Sequence, residues 1–365
     1  MSQSQLVGSL ARKVVLGLES YQAPRFPKGV NRLVSLNSNE SPYGPSPKVI
    51  EEICASLPLL NRYPTADARE RVKGKIADYV GLSSENVVLG NGSDDLIDAT
   101  IRVFMDPGDE VVIPIPTFSM YEILSRIAGG VPRTVQAQPD LTWNPETILG
   151  AMTKKTKMIF FGNPNNPSGR PADQSSLERL LRRDVVVVVD EAYVEFGARS
   201  VSSLVAEREN LVVLRTFSKV FGLAGLRLGY ALCSREVAEL IDRTNLPYSV
   251  NVVALRAASA ALNDLDHTKV VRARIAASRQ YLYSELKKVG SLVSFPSEAN
   301  FVFVDVSGTG YSSKDVTARL MLEGVSVRDC SSVLGCGDHY IRVTVGTPEE
   351  LTLFTRALRS KVCGG

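Results

Sequence analysis

Polar and apolar positions along this chain alternate in blocks. Short apolar runs of strand length fall at residues 86–90, 110–115, 131–135, 157–161, 185–189, 211–214 and 228–233. Between them, residues 94–105, 118–128 and 174–182 show helical spacing. Alternation of this kind predicts an α/β layer built on a mainly parallel, seven-stranded sheet flanked by helices. The clearest run is DVVVVVD, 184–190, whose five successive valines read as a strand buried on both faces.

Ahead of this block, residues 6–18 read as a short helix. The segment LNSNESPYGPSP, 36–47, is a loop by its Asn, Ser, Pro and Gly content. Ser46 followed by Pro47 predicts a capped helix running to about Ala55. Residues 67–80 bring Val72, Ile76 and Val80 onto one helical face. Behind the block come helical stretches at 235–242, 251–262 and 266–289. After Gly290 the order changes to a strand at 301–306, a helix at 312–323, strands around VSVR and YIRVTVG, and a helix at 348–361. That is a small α+β domain. The expected division is an N-terminal segment, 1–45, completing the small domain, a large domain over 46–275 and the small C-terminal domain over 276–365.

A chain of 365 residues exceeds the size at which one core usually stops growing, which agrees with two domains. Its net charge of +3 gives no reason to expect nucleic acid or a membrane surface as partner. No apolar run approaches the ~20 residues that span a bilayer. Five scattered cysteines without a CxxC pair suggest reduced thiols and a cytoplasmic protein. His267 and His339 are too isolated for a zinc site, so no metal is expected. The N-terminus, with Arg12 and Lys13 and no acid before Glu19, loosely fits a transit peptide; a helix packing on the body or on a second subunit is the preferred reading.

The chemistry gathers around TFSKVFGLAGLRLGY, 216–230. Lys219 sits among small and hydroxyl residues, with Arg227 eight positions on. A lysine desolvated in a pocket loses its proton more readily and attacks carbonyls. Thr216, Ser218 and Arg227 could hold an anion; a solvated glycine-rich turn is the plainer alternative. Asp190 ends the valine strand, where open α/β sheets bind ligands, or it caps the following segment. Asn166, in GNPNNPSG, either donates to a ligand oxygen or shapes a turn. GNGSDDL, 90–96, follows a strand and opens a helix, so the amides of Ser93 and Asp94 can face an anion. It is not GxGxxG, which weakens a dinucleotide reading.

Taken in order, these stretches resemble the fold-type I pyridoxal-phosphate enzymes, and among them the class I/II aminotransferases, over nearly the whole chain. The resemblance implies pyridoxal 5'-phosphate as cofactor. Lys219 would form the internal Schiff base and then carry the proton between substrate and cofactor. Asp190 would face the pyridine nitrogen, and Tyr193 and Asn166 the ring oxygen. Ser93, Asp94, Thr216, Ser218 and Arg227 would cradle the phosphate, and Phe118, in PTFSMY, would stack on the ring. It also implies a homodimer in which Tyr63, in NRYP, reaches the neighbouring site.

Within the family, LNSNESPYGPSP, NRYP, GNGSDDL, PTFSMY and NPNNPSG are most similar to the branch that exchanges an amino group between histidinol phosphate and 2-oxoglutarate, yielding glutamate, in histidine biosynthesis. There Arg342 and Arg328, assisted by Tyr21, would bind the substrate phosphate. Ser41 stands where that branch often has Asn. Threonine-phosphate decarboxylation and a broader aromatic transamination remain alternatives, as do a catalytically inert ligand-binding protein and an NAD-binding module.

Overall fold

The computed structural model describes residues 3–18 and 33–362, with side chains from Val7 onward. Its strands, in chain order, are β1 (Val34–Leu36), β2 (Val87–Gly90), β3 (Glu110–Ile115), β4 (Val131–Gln136), β5 (Thr156–Gly162) and β6 (Val186–Asp190). They continue with β7 (Leu211–Thr216), β8 (Gly229–Leu232), β9 (Val293–Ser294), β10 (Phe301–Asp305), β11 (Val325–Asp329) and β12 (Tyr340–Thr344).

A seven-stranded sheet runs in the order β2-β8-β7-β6-β5-β3-β4. Neighbours are parallel except β8, which is antiparallel to both β2 and β7. The valine run shows why the strand had to be central. Val187 and Val189 enter one apolar core and Val188 the other, because successive side chains leave opposite faces. One face is covered by the helices Ser93–Phe104, Met120–Ala128 and Arg235–Thr244; the helices Ala66–Val80 and Val252–Leu262 belong to the other core.

A five-stranded sheet has the order β1-β11-β12-β10-β9. β1 pairs in parallel with β11, so the N-terminal segment adds a strand to a sheet otherwise built from the last quarter of the sequence. The helices Ser313–Leu322 and Pro348–Lys361 pack here, the latter opened by a reciprocal Thr347–Glu350 cap.

Several boundaries differ from the sequence pattern. The stretch read as one helix over 6–18 is two, Gln3–Leu10 and Lys13–Leu16, interrupted at residues 11–12. A helix at Pro145–Ala151, capped by Asn144, was not apparent from the sequence pattern. The helix over 47–56 does start on a Ser46 cap with Pro47 in its first turn, and 66–80 closes at Gly81 in a left-handed conformation, φ +75°.

Candidate active site

Topology brings the chemistry to one edge. Strands β5, β6 and β7 end side by side, with Gly162 opposite Asp190 and Asp190 opposite Leu214. Because β8 runs backwards, its first residue, Gly229, lies opposite both Gly90 and Thr216. The loop carrying Arg227 therefore meets the end of β2 and the helix that starts at Ser93, although these are far apart in sequence.

Backbone crowding requires glycine at Gly229, and a left-handed backbone favours it at Gly92. A Cβ on Gly229 would stand 2.5 Å from the Ser93 nitrogen, and one on Gly92, whose φ is +91°, would stand 2.7 Å from Arg227 Nη2. The helix opening at Ser93 receives no side-chain cap from Gly92, which leaves its first-turn amides to an outside acceptor. Arg227 reaches this corner and lies 3.3 Å from the Asp94 carboxylate, both side chains half exposed. Thr216 and Ser218 are buried, their hydroxyl oxygens 2.9 Å apart. The cradle fits a phosphate: uncapped amides, a guanidinium and two hydroxyls converge on one corner.

Asp190 is buried at the end of β6. Its Oδ1 accepts from the Ala192 amide at 2.9 Å and its Oδ2 from the Tyr121 hydroxyl at 2.8 Å. Burial pushes its carboxyl up to about 6, against those two bonds and the charge of Lys219. Such a group gains from a cationic partner, and a protonated ring nitrogen is one. Tyr121 itself is held well above the usual phenol range by burial and by Asp190, so it stays a donor. Its ring stacks on Phe160 at 4.9 Å and meets Phe118 edge-on at 5.7 Å.

Lys219 Nζ donates to the Ser38 carbonyl at 3.3 Å and lies 5.5 Å from the centre of the Tyr193 ring. The Tyr193 hydroxyl accepts from Asn39 Nδ2 at 3.0 Å. Arg342, on β12, is buried; its guanidinium donates to Asn166 Oδ1 and, at 2.7 Å, to the Asn37 carbonyl. Arg328 on β11 is the cross-strand partner of Arg342, so the two side chains leave one face of the sheet together.

Lys219, Asp190 and Tyr193 are therefore brought together, as are Ser93, Asp94, Thr216, Ser218 and Arg227, with Asn166 bridging to Arg342. Tyr63 lies elsewhere on this chain, 75% exposed and stacked on Tyr248 at 4.3 Å. Tyr21 falls outside the described residues. Sequence reasoning missed Tyr121 and the strap 37–39. Tyr121 stands three positions after Phe118 at a helix start, a spacing that aims both rings the same way. Asn37, Ser38 and Asn39 stood out only as part of the LNSNESPYGPSP loop, with no role assigned to any of them.

The family model for aminotransferase class I and II matches residues 31–358. The histidinol-phosphate aminotransferase of Methanosarcina mazei is 41% identical over 359 residues, covering 95% of each chain. Histidinol-phosphate aminotransferase 1 of Archaeoglobus fulgidus is 43% identical over 328 residues, covering 90% of this chain and 98% of its own. Among solved structures, the histidinol-phosphate aminotransferase of Sinorhizobium meliloti in complex with pyridoxal-5'-phosphate superposes with a TM-score of 0.85 at 26% identity, covering 97% of this chain and 98% of its own. Matched by that family model over most of its length, and with its lysine and buried carboxylate meeting where the parallel strands end, the chain belongs to the class I and II aminotransferases, a pyridoxal-phosphate-dependent family.

Proposed function

We propose that the enzyme transfers the amino group of L-histidinol phosphate to 2-oxoglutarate, giving imidazole acetol phosphate and L-glutamate. The observation that carries this reading is the pair Arg328–Arg342, side by side on one sheet face, with Arg342 donating to Asn166. Two adjacent guanidinium groups suit a doubly charged phosphate better than a single carboxylate. The relatives at 41% and 43% identity carry the name of this activity.

Pyridoxal phosphate, when bound, supplies an electron sink for the pair left behind as the substrate's α-proton departs. The chain's own residues do the rest. Arg227, Thr216, Ser218 and the amides at Ser93 and Asp94 hold the cofactor phosphate. Phe118 would stack on the cofactor ring. Asp190, ionised against a cationic ring nitrogen, keeps that nitrogen protonated. Asn166 and Tyr193 hold the ring oxygen. Lys219 would anchor the cofactor, and its amine, once free, would be the base for the substrate's α-proton. Arg342 and Arg328, assisted by Tyr21, would bind the substrate phosphate and so orient the substrate.

The functional unit in this reading is a cytoplasmic homodimer in which Tyr63 of each copy completes the other's phosphate site. The Tyr63–Tyr248 stack, more than half exposed on both rings, supports it, because apolar rings left this open gain from a second surface.

The test is incubation with histidinol phosphate and 2-oxoglutarate, with glutamate as readout, followed by borohydride reduction and peptide mass mapping. Glutamate formation and a pyridoxyl label on Lys219 are expected. CO2 release without glutamate would overturn the transaminase assignment, and a label elsewhere would overturn the role of Lys219.

A further inference from the structure

Asn39 is almost fully buried and takes a left-handed backbone, φ +54°, which asparagine tolerates better than most residues. Its neighbours decide which end of its amide faces where. Its backbone N–H donates to Thr344 Oγ1 at 3.0 Å, and the Thr344 hydroxyl donates in turn to Asn39 Oδ1 at 3.1 Å. The Asn39 carbonyl accepts from Asn300 Nδ2 at 3.0 Å, which pins the backbone. With its oxygen so engaged, the amide presents Nδ2, a pure donor, to the Tyr193 hydroxyl at 3.0 Å. A hydroxyl oxygen that accepts on one side must send its own proton elsewhere. Accepting also strengthens it as a donor.

We propose that Asn39 is a positioning residue: by donating to Tyr193 it commits the phenol proton to the ring oxygen of pyridoxal phosphate and thereby tunes the acidity of the lysine-linked chromophore. This rests on the cofactor reading above. The lysine-linked nitrogen and the ring oxygen share a proton. Once that proton leaves, the negative oxygen depends wholly on outside donors, so a bond from Tyr193 favours the deprotonated form. Losing that bond raises the titration midpoint. The charged and titratable groups around Tyr193 are Lys219, whose Nζ lies over its ring, Tyr121, which is hydrogen-bonded to Asp190, and Arg342, which shares the Phe301 ring with it.

The experiment is an absorbance–pH titration of the holoenzyme chromophore in wild type, Asn39→Asp, Thr344→Val, Tyr193→Phe and the Asn39→Asp/Tyr193→Phe double variant. An aspartate accepts where the amide donated, so it captures the phenol proton. Asn39→Asp is expected to raise the midpoint about as much as Tyr193→Phe, about tenfold in proton affinity, the effect of one charge-assisted hydrogen bond. In the Tyr193→Phe background it should add little. Thr344→Val, which frees the amide to flip without adding charge, should give a smaller rise. An unchanged midpoint in Asn39→Asp, or an equal rise with and without the Tyr193 hydroxyl, overturns the proposal, since the second result is a plain charge effect. Should Asn39→Asp not fold, Thr344→Val decides alone, and no rise there overturns the proposal. A wild-type protein with no chromophore sinks the cofactor reading instead, which keeps the two failures apart.

Discussion

The Tyr121 hydroxyl donates to Oδ2 of Asp190 at 2.8 Å, tying the carboxylate at the end of β6 to the helix that follows β3. Removing only that oxygen tests the tie. Tyr121→Phe keeps the ring stack on Phe160 but leaves Asp190 with a single backbone donor. The dissociation constant for pyridoxal phosphate is expected to rise about tenfold, the worth of one bond to a charged acceptor. Equilibrium dialysis of the apo-protein reads it.

Asp190 also carries a pH signature in the apo-protein. Its folded value, about 6, lies above the ordinary 3.8 because burial penalises the charged form. The folded state therefore binds the proton more tightly than the unfolded state. The resulting stability is fully present below pH 3.8 and is lost as pH rises to about 6. Apo wild type is expected to lose up to ~3 kcal/mol across that window relative to Asp190→Asn. Glu195 does the same over a higher window, from 4.5 to about 7, again through burial. Denaturant midpoints of apo-proteins at several pH values check both; parallel pH curves for wild type and Asp190→Asn would refute the assignment.

Behind the site, Arg215 and Glu191 form a buried pair at 2.9 Å, and the Ser200 hydroxyl, the Val201 amide and the Asn163 side chain also donate to the carboxylate. Arg215→Met leaves Glu191 charged and without its cation. A loss of about 3–5 kcal/mol in unfolding free energy is expected by guanidinium titration. A loss under 1 kcal/mol would mean the surrounding donors suffice.

Gly229→Ala forces a methyl group to within 2.5 Å of the Ser93 nitrogen and 2.6 Å of the Gly92 carbonyl carbon. Both contacts are backbone, so the strand and the helix start must separate. Affinity for pyridoxal phosphate should fall at least about tenfold, or 1.4 kcal/mol, while affinity for pyridoxal without its phosphate, bound through Lys219, should change little. Equal losses for both would place the damage outside the phosphate cradle.

Arg342→Lys keeps the charge and removes the fork that spans Asn166 and the Asn37 carbonyl. A rise of about tenfold or more in KM for histidinol phosphate is expected, with a smaller change in kcat. Steady-state kinetics on both substrates separates this from a general loss of activity.

The residues this reading assigns to the cofactor were legible because each follows a strand whose apolar run marks its end. Asp190 closes five valines, Ser93 opens a helix after β2, and Lys219 and Arg227 flank a glycine-rich turn. Parallel strands end at one edge, so position along the chain converts directly into position at the site. The antiparallel course of β8, which sets Gly229 against both Gly90 and Thr216, was not readable from periodicity, because a short apolar run carries no direction.

What the sequence determined by itself was local: the elements, their order, and which side chains stand at strand ends with the chemistry of a bound cofactor. What only the tertiary structure decided were contacts between side chains and carbonyls separated by long stretches of chain. Asn37, Ser38 and Asn39 meet Arg342, Lys219 and Tyr193, respectively, and Tyr121 meets Asp190. Hydrophobic periodicity reports which face of an element is buried, whereas a hydrogen bond depends on the distance and direction between two groups, and those exist only once the sheets have packed.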